Sequence, residues 1–122
     1  MEQGKILIYD EGGFSKVCAA ILAKQGYAAE QVSAGAAPEQ QGAFDLVIAS
    51  YPFGAQFSAD IKKLSIPVIV LTDHISSDLL SFLKVLEVSY CLMKPLNFDK
   101  FVLLVKNLMS GVEIGPGGYS IV

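Results

Sequence analysis

Three short runs of this chain are apolar at almost every position: KILIY at 5–9, LVIAS at 46–50 and PVIVLT at 67–72. A strand with one face in water alternates apolar and polar side chains. A strand apolar along its whole length is covered on both faces. Such strands belong to parallel sheets, whose crossover connections lay helices on either side. A fourth run, YCLM at 90–93, is of the same kind. A fifth, AAEQVS at 28–33, is more polar and suits a sheet edge.

The segments between the runs carry helical periodicity. In the first, Phe14, Val17, Cys18, Ile21 and Leu22 recur at helical spacing, and Gly26 stands where a helix-ending glycine belongs. The segment 34–43 holds Gly35, Pro38 and Gly42, so its helix is short or ragged. The segment 55–64 offers Phe57, Ile61 and Leu64, a further short helix. In 76–88, Leu79, Phe82, Leu83 and Leu86 take core spacing, with Ser76 or Ser77 as N-cap. From about 98 to 109, Phe98, Phe101, Val102, Val105 and Leu108 are expected to face inward, and Asn97 can cap that helix. Strand and helix alternating five times predicts an α/β domain, a parallel sheet with helices on both faces. Pro67 opens its strand rather than interrupting it. The domain is expected to span 1–110, followed by a Gly-rich tail at 111–122. That tail is expected to pack on its own domain, as a hairpin of 112–114 with 119–121 around Gly-Pro-Gly-Gly, the other reading being a linker to a further domain.

Composition narrows the function classes. Apolar residues make up 52% and charged residues 17%, enough core-formers for one packed domain of this length. No apolar run is long enough to span a bilayer, and MEQGKILIYDEGG enters a strand-like run directly. Neither a membrane segment nor a secretory leader is therefore expected, and the cytoplasm is the expected location. Cys18 and Cys91 lie in apolar segments without metal-ligand spacing, as buried reduced thiols do. A net charge of −3 without a Lys/Arg cluster argues against direct nucleic-acid binding.

Open parallel sheets bind ligands beyond the carboxyl ends of their strands. The first strand delivers Asp10 and Glu11 there, the third Ser50, the fourth Thr72 followed by Asp73 and His74, and the fifth Lys94 and Pro95. Two acids, two hydroxyls and an ammonium thus converge on one rim.

At this point ILIYDEG, FDLVIAS, IPVIVLTDH and CLMKPL, in that order over residues 4 to 110, resemble the defining segments of response-regulator receiver domains of two-component signalling. The resemblance implies a flavodoxin-like, doubly wound five-stranded sheet of order 2-1-3-4-5, with the second and third helices shortened here. It implies a Mg²⁺-holding role for the acidic pair Asp10 and Glu11, and a phosphoryl-binding role for Thr72 and Lys94, with Pro95 behind them. It also exposes two departures. The family's phosphate-accepting Asp is replaced by Ser50, and its switch aromatic, three residues before the Lys, by Cys91. Tyr90 is adjacent but points to the other face of the strand.

These departures have a chemical meaning. A carboxylate is already an anionic nucleophile, whereas a serine hydroxyl needs a base, and no G-x-S-x-G surrounds Ser50. An enzyme using Ser50 is therefore not expected. Two carboxylates and one ammonium leave the pocket at −1, where a third acid would make it −2. Mg²⁺ binding is expected to be weak or absent, no cofactor is expected, and Lys94 is expected to bridge to Asp10 or Glu11 with Ser50 bonded into that network. The expected function is that of a pseudo-receiver in phosphorelay signalling, acting by protein contact. The partner is a histidine kinase, an output domain or a second copy. Leu80 and Val85 on one helix, with Leu103 and Leu104 on the last, are the candidate partner surface. Two alternatives stand beside this reading. One is a module binding a small anion or nucleotide through Thr72, Lys94 and the Gly12-Gly13 backbone. The other is a receiver phosphorylated at another acid, such as Asp73.

Overall fold

The apolar runs become the centre of one parallel sheet in the computed structural model, which describes residues 4–10, 14–32, 44–51, 58–63, 66–86, 89–93, 97–110 and 119–121. The strands are β1 (Lys5–Tyr9), β2 (Ala28–Val32), β3 (Leu46–Ser50), β4 (Val68–Thr72), β5 (Ser89–Met93) and β6 (Tyr119–Ile121). Their order is β2-β1-β3-β4-β5-β6. The first five reproduce the expected 2-1-3-4-5 arrangement, and β2, the most polar, lies at an edge. The described helices are α1 (Phe14–Lys24), α2 (Ser58–Lys63), α3 (Ser77–Leu86) and α4 (Phe98–Met109). The expected ragged helix over 34–43 lies outside the described residues.

Alternation along the strands splits the core into two layers. Leu7, Tyr9, Val47, Ala49, Val68, Val70 and Cys91 face α2 and α3, where they meet Ile61, Leu79, Phe82, Leu83 and Leu86. Ile6, Ile8, Leu46, Ile48, Ile69, Leu71, Tyr90 and Leu92 face α1 and α4, where they meet Cys18, Leu22, Phe101, Leu104, Val105 and Leu108. Every residue of β3 and β4 is buried, which is why those runs admit no polar alternation. Each fully buried Leu or Ile contributes roughly 1.5–3 kcal/mol relative to exposure.

Local chemistry sets the helix ends. Ser76 Oγ accepts from the Leu79 amide at 3.1 Å, and Asn97 Oδ1 accepts from the Lys100 amide at 3.0 Å. Replacing Asn97 with Ala removes that acceptor from the N-terminus of α4. The expected loss is about 1 kcal/mol, with Asn97→Ser nearly neutral, read as urea midpoints. Gly26 ends α1 at φ 90°, a left-handed conformation that a side chain disfavours. At the opposite end of the sheet from the rim, the Lys5 amide donates to Asp45 Oδ2 at 3.0 Å, and the Asp45 amide donates back to the Lys5 carbonyl at 2.8 Å. The Ser89 hydroxyl donates to the Leu83 carbonyl at 3.1 Å, tying the start of β5 to α3.

Two inward assignments and one outward assignment need correction. Val17 is exposed, and the buried stripe of α1 narrows to Cys18 and Leu22 with Ile21 half-buried. Phe98 is exposed, and the stripe of α4 runs Phe101, Leu104, Val105 and Leu108. Leu104 is therefore a core residue and no part of a partner surface. That helix is apolar at so many positions that its sequence admits more than one inward face, and packing into the layer with α1 and the sheet selects among them. The tail contributes β6, which pairs parallel with β5 through Ser89↔Tyr119, Tyr90↔Ser120 and Cys91↔Ile121. The other arm of the expected hairpin, 112–114, lies outside the described residues.

Candidate functional site

The parallel ladder brings three polar side chains to one rim. Tyr9 pairs with Ala49, and extending that register by one residue sets Asp10 abreast of Ser50. Neighbouring strands lie ~4.8 Å apart, so these two residues are lateral neighbours. On its other side Ser50 pairs with Leu71, and Thr72 follows. Asp10 is 8% exposed, Ser50 6% and Thr72 2%. All three are buried, where most strand-end residues are solvated. Alternation places Asp10 and Ser50 on the α1/α4 side, in line with Ile8 and Ile48. It places Thr72 on the α2/α3 side, in line with Val70.

The hydroxyls are used differently. The Thr72 hydroxyl donates to the His74 carbonyl at 2.9 Å, which folds the loop after β4 back over its own strand end. Its lone pairs stay available as acceptors. Asp73 and His74, the chain's single histidine, are exposed, whereas Ser50 is buried. Glu11, Lys94 and Pro95, and with them the expected Lys94 bridge, lie outside the described residues, as do Gly12 and Gly13.

Mg²⁺ calls for near-octahedral oxygen coordination anchored by carboxylates. Among the described residues no three His, Cys, Asp or Glu side chains gather into a metal site. The rim's described donors are one carboxylate and two hydroxyls, of which Thr72 is already committed to the loop. These described donors alone do not supply that coordination, and Glu11, the other expected ligand, lies outside the described residues.

Cys91, expected where a receiver keeps its switch aromatic, is fully buried in the layer under α3, paired with Val70. Tyr90 belongs to the opposite layer. Burial pushes the Cys91 thiol above its ordinary value of 9.0. The unfolded chain therefore gives up this proton first as pH rises, and folding stability falls as pH climbs through 9 and beyond. Urea midpoints across mildly alkaline buffers should decline, and Cys91→Ala should flatten that decline. An unchanged slope would place the titration elsewhere.

Tyr51 was not anticipated from the sequence. It follows Ser50 directly, its amide donates to the Leu71 carbonyl at 2.8 Å, and its ring lies 5.7 Å from that of Phe82, tilted by 35°. The end of β3 is thereby tied to α3 by an aromatic pair. The signal was an aromatic directly after a buried strand, opposite a helix bearing Phe82. On the candidate partner surface, Val85 and Leu103 are exposed and Leu80 is half-buried against the core.

The chain matches no protein-family model and no curated protein sequence. Solved structures do resemble it. The CheY-like response regulator receiver domain protein from Methanospirillum hungatei JF-1 is 21% identical with a TM-score of 0.76, over 90% of this chain and 96% of that one. The chemotaxis response regulator CheY4 of Vibrio cholerae is 20% identical with a TM-score of 0.71, over 88% and 99%. The beryllofluoride-activated NtrC4 receiver domain dimer is 21% identical with a TM-score of 0.67, over 88% and 97%. Likeness at this identity establishes the fold: the doubly wound sheet of receiver domains.

Proposed function

We propose that this chain is a receiver-like signalling domain that no longer accepts phosphate and works by protein contact in the cytoplasm. The observation that carries the reading is the buried Ser50 at the end of β3, abreast of buried Asp10 and beside the strand end that holds Thr72. In the receiver resemblance this place belongs to the phosphate-accepting carboxylate. A hydroxyl there replaces the anionic nucleophile of a carboxylate with a neutral one. Glu11, Lys94 and Pro95 complete the remnant in this reading, and Cys91 replaces the aromatic reporter with a small, uncharged side chain. With neither trigger nor reporter, the domain is a fixed recognition surface rather than a phosphorylation switch. The role is not enzymatic.

A kinase, an output domain or a second copy of the chain is the partner in this reading. Val85 on α3 and Leu103 on α4 are the exposed apolar residues that face it, with Leu80 beneath. No described helix is long and apolar enough to cross a membrane.

Incubating the protein with acetyl phosphate and Mg²⁺, then measuring intact mass, tests the proposal. No phosphoryl adduct is expected. A stoichiometric adduct overturns it, and mapping that adduct to Asp73 would establish the other-acid alternative.

A further inference from the structure

Among the described residues, β6 covers part of the edge on which it sits. It pairs with Ser89, Tyr90 and Cys91, while β5 runs on through Leu92 and Met93. Met93 is 43% exposed. Edge strands of natural sheets discourage unwanted pairing with charges, prolines or bulges. β5, SYCLM, contains no charged residue, proline or glycine. The opposite edge strand, β2, carries an exposed Glu30. β5 therefore has the composition of an interior strand, and β6, which also lies beside α3, is what makes it one.

We propose that β6 is a cover held in cis over a self-pairing edge. When β6 leaves, β5 of one copy pairs with β5 of a second copy, joining two sheets into one. A strand meeting its own copy across a two-fold axis must run antiparallel to it. Antiparallel pairing is somewhat more stable per residue than the parallel pairing β6 provides. Because the edge is uncharged, two copies meet without repulsion. β6 wins in the intact chain because the stretch 111–118 tethers it to the end of α4, at an effective concentration on the order of millimolar. Anything that draws β6 away then releases a dimerisation surface. This deepens the protein-contact reading by giving that contact a gate, and it does not involve the chemistry of the rim.

Light scattering reads the outcome on the whole chain and on two variants. One carries Tyr119→Gly, Ser120→Gly and Ile121→Gly, which removes strand propensity from β6. The other lengthens 111–118 by a flexible Gly/Ser insertion, lowering the effective concentration of β6 without altering it. The intact chain is expected to be monomeric at micromolar concentration, and both variants to double in mass. Adding Met93→Lys, which charges the uncovered end of β5, should return them to monomers. Circular dichroism and cooperative urea unfolding establish that each variant is folded, and the insertion variant carries the test if the triple-glycine chain is not. A folded variant that stays monomeric at high concentration overturns the proposal, as does a doubling that survives Met93→Lys. A doubling abolished by Leu103→Glu but not by Met93→Lys assigns association to the helix face, which ends the edge proposal and leaves the protein-contact reading standing.

Discussion

A Ser50→Asp chain incubated with acetyl phosphate and Mg²⁺ is expected to take up one phosphoryl group, where the natural chain takes up none. The substitution supplies an anionic nucleophile at a position already buried and already abreast of Asp10. It also supplies the second carboxylate that the described donors lack for Mg²⁺, with the metal able to align the donor and neutralise its charge. Thr72 stands at the next strand end with free lone pairs and a hydroxyl that can turn from the His74 carbonyl toward an arriving phosphoryl oxygen. The effect is all-or-none, so intact mass decides it. A folded variant that binds Mg²⁺ but takes up no phosphate would show that the rim has lost more than its acceptor.

The same substitution has a separate consequence for stability. Two carboxylates on neighbouring strands, ~5 Å apart at an effective dielectric constant of ~20, repel by about 3 kcal/mol. Without Mg²⁺ the variant should therefore unfold at lower urea than the natural chain at neutral pH. The introduced carboxyl is pushed to hold its proton more tightly in the folded state than in the unfolded one. Its destabilisation is accordingly absent in acid and sets in as pH rises through the carboxylate range. Millimolar Mg²⁺ should restore most of the loss. This reasoning bears on the natural chain as well: the serine removes a cost that a carboxylate would impose wherever the metal is absent. In the proposed reading, phosphate chemistry and metal dependence are lost together.

Much of this was open to a reader of the sequence, for a physical reason. Strands covered on both faces cannot hide among loops, because they are apolar throughout, and β1, β3, β4 and β5 were each found that way. Ser76 and Asn97 were found because capping is local: the acceptor and the amide it serves lie three residues apart. Asp10, Ser50 and Thr72 were found because strand ends follow from strands. The misplacements arise where the information is not local. Leu103 and Leu104 are adjacent and chemically identical, and only the docking of α4 makes one 61% exposed and the other 5%. Tyr119–Ile121 follows a turn-like Gly-Pro-Gly-Gly and reads as one arm of a hairpin. Its pairing with β5 depends on an open sheet edge that no nearby residue announces. Tyr51 was overlooked because its partner Phe82 lies across α2, β4 and part of α3.

Phe101→Ala should be among the most damaging single substitutions in the chain, costing about 3–5 kcal/mol. Its ring is fully buried and is among the largest side chains that are so. It stands in the layer with Ile6, Ile8, Leu46 and Ile69, so the space it vacates is bounded by strands that cannot collapse without breaking their ladders. Domains of this size are stable by roughly 5–15 kcal/mol, so the loss is a large share of the whole. Leu104→Ala should cost about 2–5 kcal/mol, and Leu103→Ala no more than about 0.5 kcal/mol. The contrast between adjacent leucines is the sharper test, because helix propensity and composition change identically in both and only the facing of α4 differs. Equal costs at 103 and 104 would mean that α4 is rotated from the position described, and the exposed Leu103 would then lose its place on the partner surface. Unequal costs in the stated direction fix the outward face of α4 independently of any binding partner.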